Sequence, residues 1–350
     1  MAPRALHDAR ALVAFADALL ARGGLDAGKA RDVAEVLVEG DLIGHTTHGL
    51  QLLPAYLDEI EGGRMERTGE PAVLADRTAA VTWDGRRLPG PFLVRRALDL
   101  ASARASLHGT CTVVIRRSHH AAALAAYLRP VAERGLMALL TCSDPGTRGV
   151  VPHGGRGDVM TPNPLAAAWP TRGAPVVLDV STSITTHGLT RRLAREGGRF
   201  PGAWAVDADG RPTDDPAAVL ADPPGALLPA GGLDHGHKGY ALGLLVEALT
   251  GGLAGHGRAD PHEGWAANVL VQVLDPAAFG GTDDFVRQAT FLADACRAST
   301  PRDPDAPVRL PGEAALARRA RQLAEGVALY PGVLDALVPW SERMGVPLPR

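Results

Sequence analysis

Two hydrophobic periodicities follow one another in this chain of 350 residues, and their order limits the folds that it can adopt. Residues 8–60 repeat apolar side chains at helical spacing, and Gly23 and Gly24 end the first run. Apolar runs typical of strands, such as "CTVVIRRS" and "PVVLDVST", fill the middle. Two more helices follow the Pro-rich connector "TPRDPDAPVRLPG". The order predicts a helical layer made from both termini around a mixed α/β middle.

Further helices are predicted within this middle, at "AAALAAYLRPVAERG" (residues 121–135) and "GYALGLLVEALTGG" (residues 239–252). No predicted strand leads through G-x-G-x-x-G into a helix, since "HGGRGD" has the wrong spacing and no helix behind it. The motifs therefore give no sign of a Rossmann unit, and by themselves they would not suggest a nicotinamide cofactor.

The charge balance argues against nucleic-acid and membrane partners. The formal net charge is −3, and the charged residues are scattered without long blocks of one sign. Asp8, Arg10 and Asp17 interrupt the apolar N-terminal stretch, which reads as an amphipathic helix and not as a signal peptide or membrane span. The three cysteines lack metal-ligand spacing, so buried thiols in a reducing compartment are expected. We expect a soluble cytoplasmic protein.

Two pairs of histidines are candidates for chemistry. His45 and His48 lie at a predicted helix entrance, and His119 and His120 end a predicted strand. An imidazole with a pKa near 6.5 suits proton transfer at neutral pH. The alternative for the first pair is a capped helix start with surface histidines. A metal site is not expected, because no third ligand follows at a recognisable spacing.

Lys238 is one of only two lysines in the chain, the other being Lys29. It lies between two glycines at the expected head of an apolar helix, where a cation without an anionic partner is unfavourable. A substrate carboxylate, a cofactor phosphate or a nearby aspartate would supply that partner. Asp179 and Ser181, at the end of "VVLDVSTS", either cap the end of a strand or form a polar lip that hydrogen-bonds a sugar or amide.

Several stretches, in their order, resemble the malate/L-lactate dehydrogenase family, whose members bind their cofactor without a Rossmann fold. They are "DLIGHTTHGLQLLPAY", "SHH", "NPLAAAWP", "LDVSTS", "WAVDADGRPTDDP", "GALLP", "HKGYALGLLVEALTGG", "DPAAF" and "LPGE". Each one is modest, but the shared order covers roughly residues 8–345 and is specific.

The resemblance implies an α/β (α+β) fold with a mixed, mostly antiparallel seven-stranded sheet and a helical domain formed by both termini. The implied domains are residues 1–75 plus 285–350, and an NAD(P)-binding domain at 76–284. The resemblance also implies a homodimer. The implied reaction is hydride transfer between NAD or NADP and C2 of a 2-oxo or 2-hydroxy carboxylic acid.

Site residues are carried over by position. His120 matches the family's proton-transfer histidine, Thr47 and His48 match its Ser-His pair, and Lys238 is expected to hold an anionic group near the reaction. Expected cofactor contacts are His48, Ala122, Ala123, Leu124, Val177, Leu178, Asp179, Val180, Ser181, His237, Asn268, Gly312 and Glu313. Expected substrate contacts are Leu52, Tyr56, Arg117 and Arg148.

This chain also departs from the family pattern. Many members have an arginine where Leu52 stands, and an arginine there suits a substrate carboxylate. Leu52 favours a bulkier or less charged substrate, unless Arg116, Arg117 or Arg148 binds the carboxylate. Pro162 replaces a residue that has a backbone donor, and Leu189 replaces a frequent lysine.

Other functions are weighed against this one. A cyclic-imine or ketone reductase of the same family is the nearest alternative. A metal-dependent hydrolase or lyase that uses His119, His120, His235 and His237 belongs to another class, as does a catalytically silent cofactor-binding protein.

Overall fold

The structure is a computed structural model and describes residues 5–262 and 264–349. Its α-helices, in chain order, are α1 (Ala9–Arg22), α2 (Ala27–Ile43), α3 (Leu53–Glu61), α4 (Gly90–His108), α5 (Arg129–Glu133), α6 (His187–Arg195), α7 (Pro216–Val219), α8 (Gly232–Glu247), α9 (Thr282–Arg297), α10 (Glu313–Glu325) and α11 (Val333–Met344). Its strands are β1 (Leu6–His7), β2 (Ala72–Asp76), β3 (Ala80–Asp84), β4 (Thr110–Ser118), β5 (Met137–Ser143), β6 (Leu165–Trp169), β7 (Val176–Val180), β8 (Ala205–Val206), β9 (Pro212–Thr213), β10 (Ala226–Leu227), β11 (Ala267–Leu274) and β12 (Val327–Ala328).

A seven-stranded sheet organises the middle of the chain, in the order β2-β3-β4-β11-β5-β6-β7. Neighbouring strands run antiparallel except β3 and β4, which are parallel. The predicted mixed, mostly antiparallel sheet of seven strands is therefore confirmed. It differs from the parallel, doubly wound sheet of a Rossmann fold.

The centre of this sheet is apolar on both faces. In β11, Val269, Val271 and Val273 are fully buried, and Val271 lies opposite Val113 of β4 and Leu140 of β5. Helix α4 packs against β4 and β11. A strand covered on both faces reads as a nearly continuous apolar run, which explains the sequence "ANVLVQVL".

Helices from both ends of the chain pack together, as predicted. Helix α10 packs on α2, and α11 packs on α1 and α3. Strands β1 and β12 pair antiparallel, with Leu6 opposite Ala328, and so join the two ends. The division into domains at 1–75 plus 285–350 and 76–284 stays a prediction, because one continuous buried cluster includes side chains from both parts.

Two predicted helices differ from the structure. Residues 121–135 contain an extended stretch, a 3-10 turn at Leu124–Tyr127 and the short α5. Ala122 has a φ of 56° and its N–H bonds to a side chain, so an α-helix does not start there. Helix α8 begins at Gly232, so Lys238 lies in its second turn and not at its head.

The described helices were also compared with what a bilayer requires. Within residues 5–262 and 264–349, none is both long enough and apolar enough to cross a membrane.

Candidate active site

Two imidazole rings from distant segments meet at the end of β4. Helix α2 ends at Gly44, and the turn that follows carries His48 towards α3. His120 follows β4 by two residues. The two rings stack with their centroids 5.8 Å apart and an interplanar angle of 20°. Both side chains are half-buried. The structure therefore brings the two expected histidines together.

Close backbone packing holds the segment that carries His120. Gly90, at the start of α4, lies so near it that an added Cβ would come within 2.4 Å of the carbonyl oxygen of His120 and 2.6 Å of that of His119. A side chain at Gly90 would push this segment away from α4. The glycine thus fixes the position of the His120 backbone.

Hydrogen bonds define the tautomer of His120. The backbone N–H of Ala122 donates to Nδ1 of His120 at 3.2 Å, and the hydroxyl of Tyr56 lies 2.8 Å from the same nitrogen. Because Nδ1 accepts from a backbone N–H, the neutral ring carries its hydrogen on Nε2. Tyr56 is fully buried, and its hydroxyl also lies 3.1 Å from the carbonyl oxygen of His120. Nε2–H is thus the polar group of this ring that remains for a ligand.

His48 has a partner of its own. The hydroxyl of Thr47 lies 2.9 Å from Nδ1 of His48, so this pair takes the place of the Ser-His pair expected from the resemblance. Among the described residues, neither His48 nor His120 has a hydrogen-bond partner at Nε2, and neither Nε2 is closed off from solvent. The Nε2 atoms of both imidazole rings are therefore accessible.

Burial keeps both rings neutral. Loss of solvation, with smaller effects of His45 and the Arg192 guanidinium, lowers the pKa of His48 to about 4. Loss of solvation, with smaller effects of His48 and His119, lowers the pKa of His120 to about 3. A charged imidazolium at this site therefore needs a nearby negative charge, which an anionic substrate would bring.

The neighbour of His120 has a different role. His119 is fully buried, and its Nε2 lies 3.3 Å from the carboxylate of Glu59. Burial lowers the pKa of His119 in spite of that partner, and the hydrogen bond from His119 lowers the pKa of Glu59 to about 2. The Trp265 ring covers both histidines, with its centroid 5.1 Å from each of theirs. His119 and Trp265 form the back wall of the site.

A cleft of about 230 Å³ is bounded by α2, the 3-10 turn, β7 and α10. Its lining residues are Glu39, Ile43, His45, Ala125, Arg129, Val177, Leu178, Asp179, Val180, Pro311, Gly312, Ala315 and Leu316. Five of the expected cofactor contacts are among them. Ala122, Ala123 and Leu124 directly precede Ala125 in the chain, so they lead from His120 to the cleft.

Asp179 is the polar centre of the cleft. Its carboxylate accepts from the N–H of Ala125 at 2.8 Å and lies 3.8 Å from Nδ1 of His45. Burial raises the pKa of Asp179, while His45 and the backbone donors at Ala125 and Leu124 act in the opposite direction. This carboxyl group is a ready hydrogen-bond partner for the hydroxyls of a ligand.

Gly312 forms the tight edge of the same cleft. Its φ is 89°, and an added Cβ would lie 2.7 Å from the carbonyl oxygen of Val177. The side chain of Glu313 next to it bonds to the N–H of Leu310 at 2.8 Å and to Arg297 at 2.6 Å. The residues at 312 and 313 thus give the connector before α10 a fixed shape.

Other expected cofactor contacts have partners inside the protein. Asn268 is fully buried; its Oδ1 accepts from the N–H of Arg117 and its Nδ2 donates to the carbonyl oxygen of His256. The hydroxyl of Ser181 donates to the carbonyl oxygen of Ser183 at 2.7 Å.

Four expected residues have other partners or are exposed. The Arg117 guanidinium is paired with Asp84, and Arg148 is exposed. Lys238 is exposed on α8, and the His237 ring lies 5.7 Å from that of His153. The histidines of the metal hypothesis thus fall into two separate groups, one around His120 and one around His237. Among the described residues, no three metal-ligating side chains gather.

Sequence reasoning missed three residues around the site. Arg192 contacts the segment that bears His48, Trp265 covers His120, and the carboxyl group of Asp41 accepts from the N–H of Leu50. Arg192 lies four residues after Gly188 on α6, so the two residues share one helix face. This spacing was the only sequence signal for Arg192. Trp265 and Asp41 had no pattern that set them apart.

Comparison with known proteins agrees with this architecture. The malate/L-lactate dehydrogenase family model matches residues 7–338. An L-lactate dehydrogenase of Cupriavidus necator is 35% identical over 95% of each chain, and hydroxycarboxylate dehydrogenase B of Escherichia coli K12 is 29% identical over 97% of this chain and 94% of its own. A Δ1-pyrroline-2-carboxylate/Δ1-piperideine-2-carboxylate reductase of Pseudomonas syringae is 33% identical over 89% of this chain and 90% of its own.

Among solved structures, malate dehydrogenase from Entamoeba histolytica superposes with a TM-score of 0.93, at 23% identity, over 99% of this chain and 100% of that chain. This likeness shows the fold. Dehydrogenases of the matching family use NAD or NADP. The chain is therefore an oxidoreductase that belongs to the malate/L-lactate dehydrogenase family.

Proposed function

We propose that this enzyme interconverts 2-oxo and 2-hydroxy carboxylic acids with NAD or NADP. The observation that carries the proposal is the stacked pair of His48 and His120, in segments whose nearby residues His45 and Ala125 line a cleft that is suited to a cofactor. The family supports the type of reaction, and the residues of the site support the substrate class.

The cleft fits a nicotinamide cofactor. Its walls at Val177 and Leu316 are apolar, Asp179 offers a carboxyl group to ribose hydroxyls, and Gly312 lets the connector pack closely against Val177 at the edge of the cleft. We propose that these residues, together with Ala122–Leu124, hold the cofactor. When bound, it supplies the hydride to C2 of the substrate or accepts it from there.

His120 is proposed to transfer the proton. In the reduction, negative charge grows on the substrate oxygen, and Nε2–H of His120 donates a hydrogen bond to it. The ring, once protonated from solvent at Nδ1, gives its Nε2 proton to that oxygen and is left with its hydrogen on Nδ1; in the oxidation, the bare Nε2 of this second tautomer takes the proton back. Tyr56 suits both states, because its hydroxyl reaches the bare Nδ1 at 2.8 Å or the carbonyl oxygen of His120 at 3.1 Å.

His48 is proposed to orient the substrate. Its ring stacks on His120, and the hydroxyl of Thr47 at Nδ1 fixes its orientation. Its Nε2 then offers a second hydrogen bond to the substrate oxygen.

A panel of substrates tests the function. NADH and NADPH oxidation is measured with pyruvate, oxaloacetate, phenylpyruvate and cyclic imine 2-carboxylates. We expect turnover of 2-oxo acids by the wild type. Absence of turnover with every 2-oxo acid, with either cofactor, would refute the proposal.

A cyclic-imine reductase is the second candidate. Leu52 is half-buried and packs against the main core, so it offers an apolar contact where an arginine was expected. The Pseudomonas syringae reductase named above also supports this reading. A kcat/KM higher for Δ1-piperideine-2-carboxylate than for every 2-oxo acid would favour it.

We also propose a homodimer that uses α8. The inward face of α8 carries glycines (Gly232, Gly236, Gly239 and Gly243), and its outward face carries Leu233, Leu242, Leu244 and Leu245. These leucines are 47–49% exposed. Such a reversed amphipathic pattern is typical of a helix that another protein surface covers.

The cytoplasm is the proposed compartment. Cys111, Cys142 and Cys296 are free thiols. Burial raises the pKa of Cys142 to about 12, so this thiol is unreactive at neutral pH. Free thiols of this kind are typical of a reducing compartment.

A further inference from the structure

A 2-oxo acid carries a carboxylate, and an arginine side chain is well suited to bind it. Leu52 has no charge to offer, and it packs against the apolar core. Arg116 and Arg117 are both paired with the carboxylate of Asp84, at 3.2 Å and 2.5 Å. Arg148 is exposed. Arg116 and Arg117 are therefore engaged by Asp84, and the exposed side chain of Arg148 is not held in place by burial.

Arg192 lies against the segment that bears His48. Its Nη1 donates to the hydroxyl of Thr46 at 3.0 Å, and its Nη2 donates to the side-chain oxygen of Gln51 at 2.5 Å. These two residues flank Thr47 and His48 in the chain. One turn earlier in α6, an added Cβ on Gly188 would lie 3.1 Å from Cβ of Thr47. One face of α6 thus packs directly against the histidine turn.

The charge of Arg192 has no anionic partner within salt-bridge distance among the described residues. The side chain is only 9% exposed, its partners Thr46 and Gln51 are neutral, and its guanidinium carbon lies 3.5 Å from the centroid of the Tyr330 ring. Nε is buried without a hydrogen-bond partner within the described part of the chain. A guanidinium has five N–H groups, and two of them are used here.

A buried cation whose hydrogen-bond partners are neutral is costly, and an anion that arrives with the substrate would lower that cost. A guanidinium is also suited to bind a carboxylate through two parallel hydrogen bonds. The position next to the His48 turn would place such a carboxylate beside the imidazole pair, where its C2 neighbour reacts.

We propose that Arg192 binds the carboxylate of the substrate, since Leu52 has no charge with which to bind it. This inference rests on the proposed function. It holds equally for 2-oxo acids and for cyclic imine 2-carboxylates, because both carry the carboxylate next to the reacting carbon.

The test compares a charged substrate with its neutral counterpart. The kcat/KM of the wild type and of Arg192→Met is measured for the best 2-oxo acid of the panel and for its methyl ester. Because truncation of one partner of a buried charge pair weakens binding strongly, kcat/KM for the acid should fall about 100-fold, mainly through KM. We expect the value for the ester to stay within about threefold, since an ester offers no charge to the guanidinium.

Arg191→Met, an exposed arginine one position earlier on α6, is the matched control and should leave both values unchanged. Arg192→Lys keeps a cation, so it should retain part of the activity with the acid. If Arg192→Met does not fold, the same comparison of acid and ester is made with Arg192→Lys. An equal loss with acid and ester in both variants would show that Arg192 only supports the turn, and unchanged acid kinetics would show that it has no role; either result overturns the inference. A wild type that reduces no 2-oxo acid would instead contradict the proposed function.

Discussion

His120 shows how much of the proposed chemistry depends on the surroundings of one ring. The N–H of Ala122 donates to Nδ1 and so leaves the hydrogen of the neutral ring on Nε2. Loss of solvation lowers the pKa of this ring to about 3. Without substrate the ring is therefore a neutral hydrogen-bond donor across the physiological pH range.

This state has a direct consequence for pH titration. In the protein with 15N-labelled histidine, we expect the His120 signals to show Nε2 protonated and Nδ1 bare from pH 8 down to pH 5. An unfolded histidine titrates near 6.5, so between about pH 6.5 and 3 the unfolded chain binds more protons at this residue than the folded one. The contribution of His120 to the free energy of unfolding is thus complete above pH 6.5 and decreases as the pH falls. A His120 titration near pH 6.5 in the NMR spectra would contradict this.

Tyr56 provides a second prediction at this scale. Tyr56→Phe removes the hydroxyl that lies 2.8 Å from Nδ1 of His120 and leaves the buried ring in place. Because loss of a group that orients an active imidazole costs about 10- to 100-fold, kcat should fall by about that factor, with the cofactor Kd unchanged. Tyr240→Phe is the control, since Tyr240 packs in a different cluster. An equal kcat in the wild type and Tyr56→Phe would show that the Tyr56 hydroxyl does not assist His120 in the reaction.

For single residues, the sequence predicted which side chains belong to the site better than it predicted their contacts. Thr47, His48 and His120 were expected from the resemblance, and the structure brings them together. Arg192 was not expected, because its contacts with Thr46 and Gln51 span 146 and 141 residues of sequence. Contacts over such distances depend on the tertiary fold and leave no local pattern.

Among the elements, β7 and α10 form the cleft through the backbone at Gly312. Gly312 and Gly332 occupy the same position at the start of α10 and α11, with φ of 89° and 83°. They differ in their surroundings, since an added Cβ at Gly312 would lie 2.7 Å from the carbonyl oxygen of Val177, whereas at Gly332 nothing lies within 4 Å. A side chain at Gly332 would therefore cause backbone strain alone, whereas a side chain at Gly312 would cause backbone strain and a steric clash.

Substitution by alanine at both glycines uses this difference. Each variant should lose about 1–2 kcal/mol of unfolding free energy through the left-handed backbone. Gly312→Ala should lose about 1–3 kcal/mol more through the clash with Val177 and should bind NADH or NADPH more weakly, whereas Gly332→Ala should bind it normally. The measurements are denaturant unfolding and fluorescence titration with the cofactor. Equal cofactor affinity in the two variants would show that Gly312 does not contribute to cofactor binding.

The elements that were predicted wrongly have identifiable causes. Residues 121–135 are rich in alanine and leucine, which favour a helix, but Ala122 has a φ of 56° and its N–H bonds to His120. Local propensity was overridden by a bond that belongs to the site. Helix α8 starts seven residues earlier than "GYALGLLVEALTGG" suggested, because its inward face consists of glycines that hydrophobic periodicity does not register.

For the whole molecule, the sheet and the helical layer followed from the order of the two periodicities along the chain. The strand order β2-β3-β4-β11-β5-β6-β7 did not follow from it, because β11 inserts between β4 and β5 from a distant part of the sequence. The resemblance supplied the antiparallel character of the sheet, which the patterns alone did not specify.

The outward leucines of α8 lead to a prediction about assembly. Leu242→Glu combined with Leu245→Glu should convert the proposed homodimer to a monomer, because both positions lie on the exposed apolar face and charges there would oppose its burial. Size-exclusion chromatography with light scattering measures the mass. Leu107→Glu, at a 78% exposed leucine on α4, is the control and should remain dimeric. A wild type that is monomeric at micromolar concentration would contradict the proposal.

The central claim is that His120 transfers the proton while hydride reaches C2 of a 2-oxo acid. Its most direct test is reduction of a 2-oxo acid with NADH or NADPH that carries deuterium at both hydrogen positions of C4, with the product analysed by mass spectrometry. For the wild type, we predict a 2-hydroxy acid with a single deuterium at C2. For His120→Ala, general acid catalysis should be lost, and the rate should fall about 10²- to 10⁴-fold with unchanged cofactor affinity. Product without deuterium, or an unchanged rate for His120→Ala, would contradict the account.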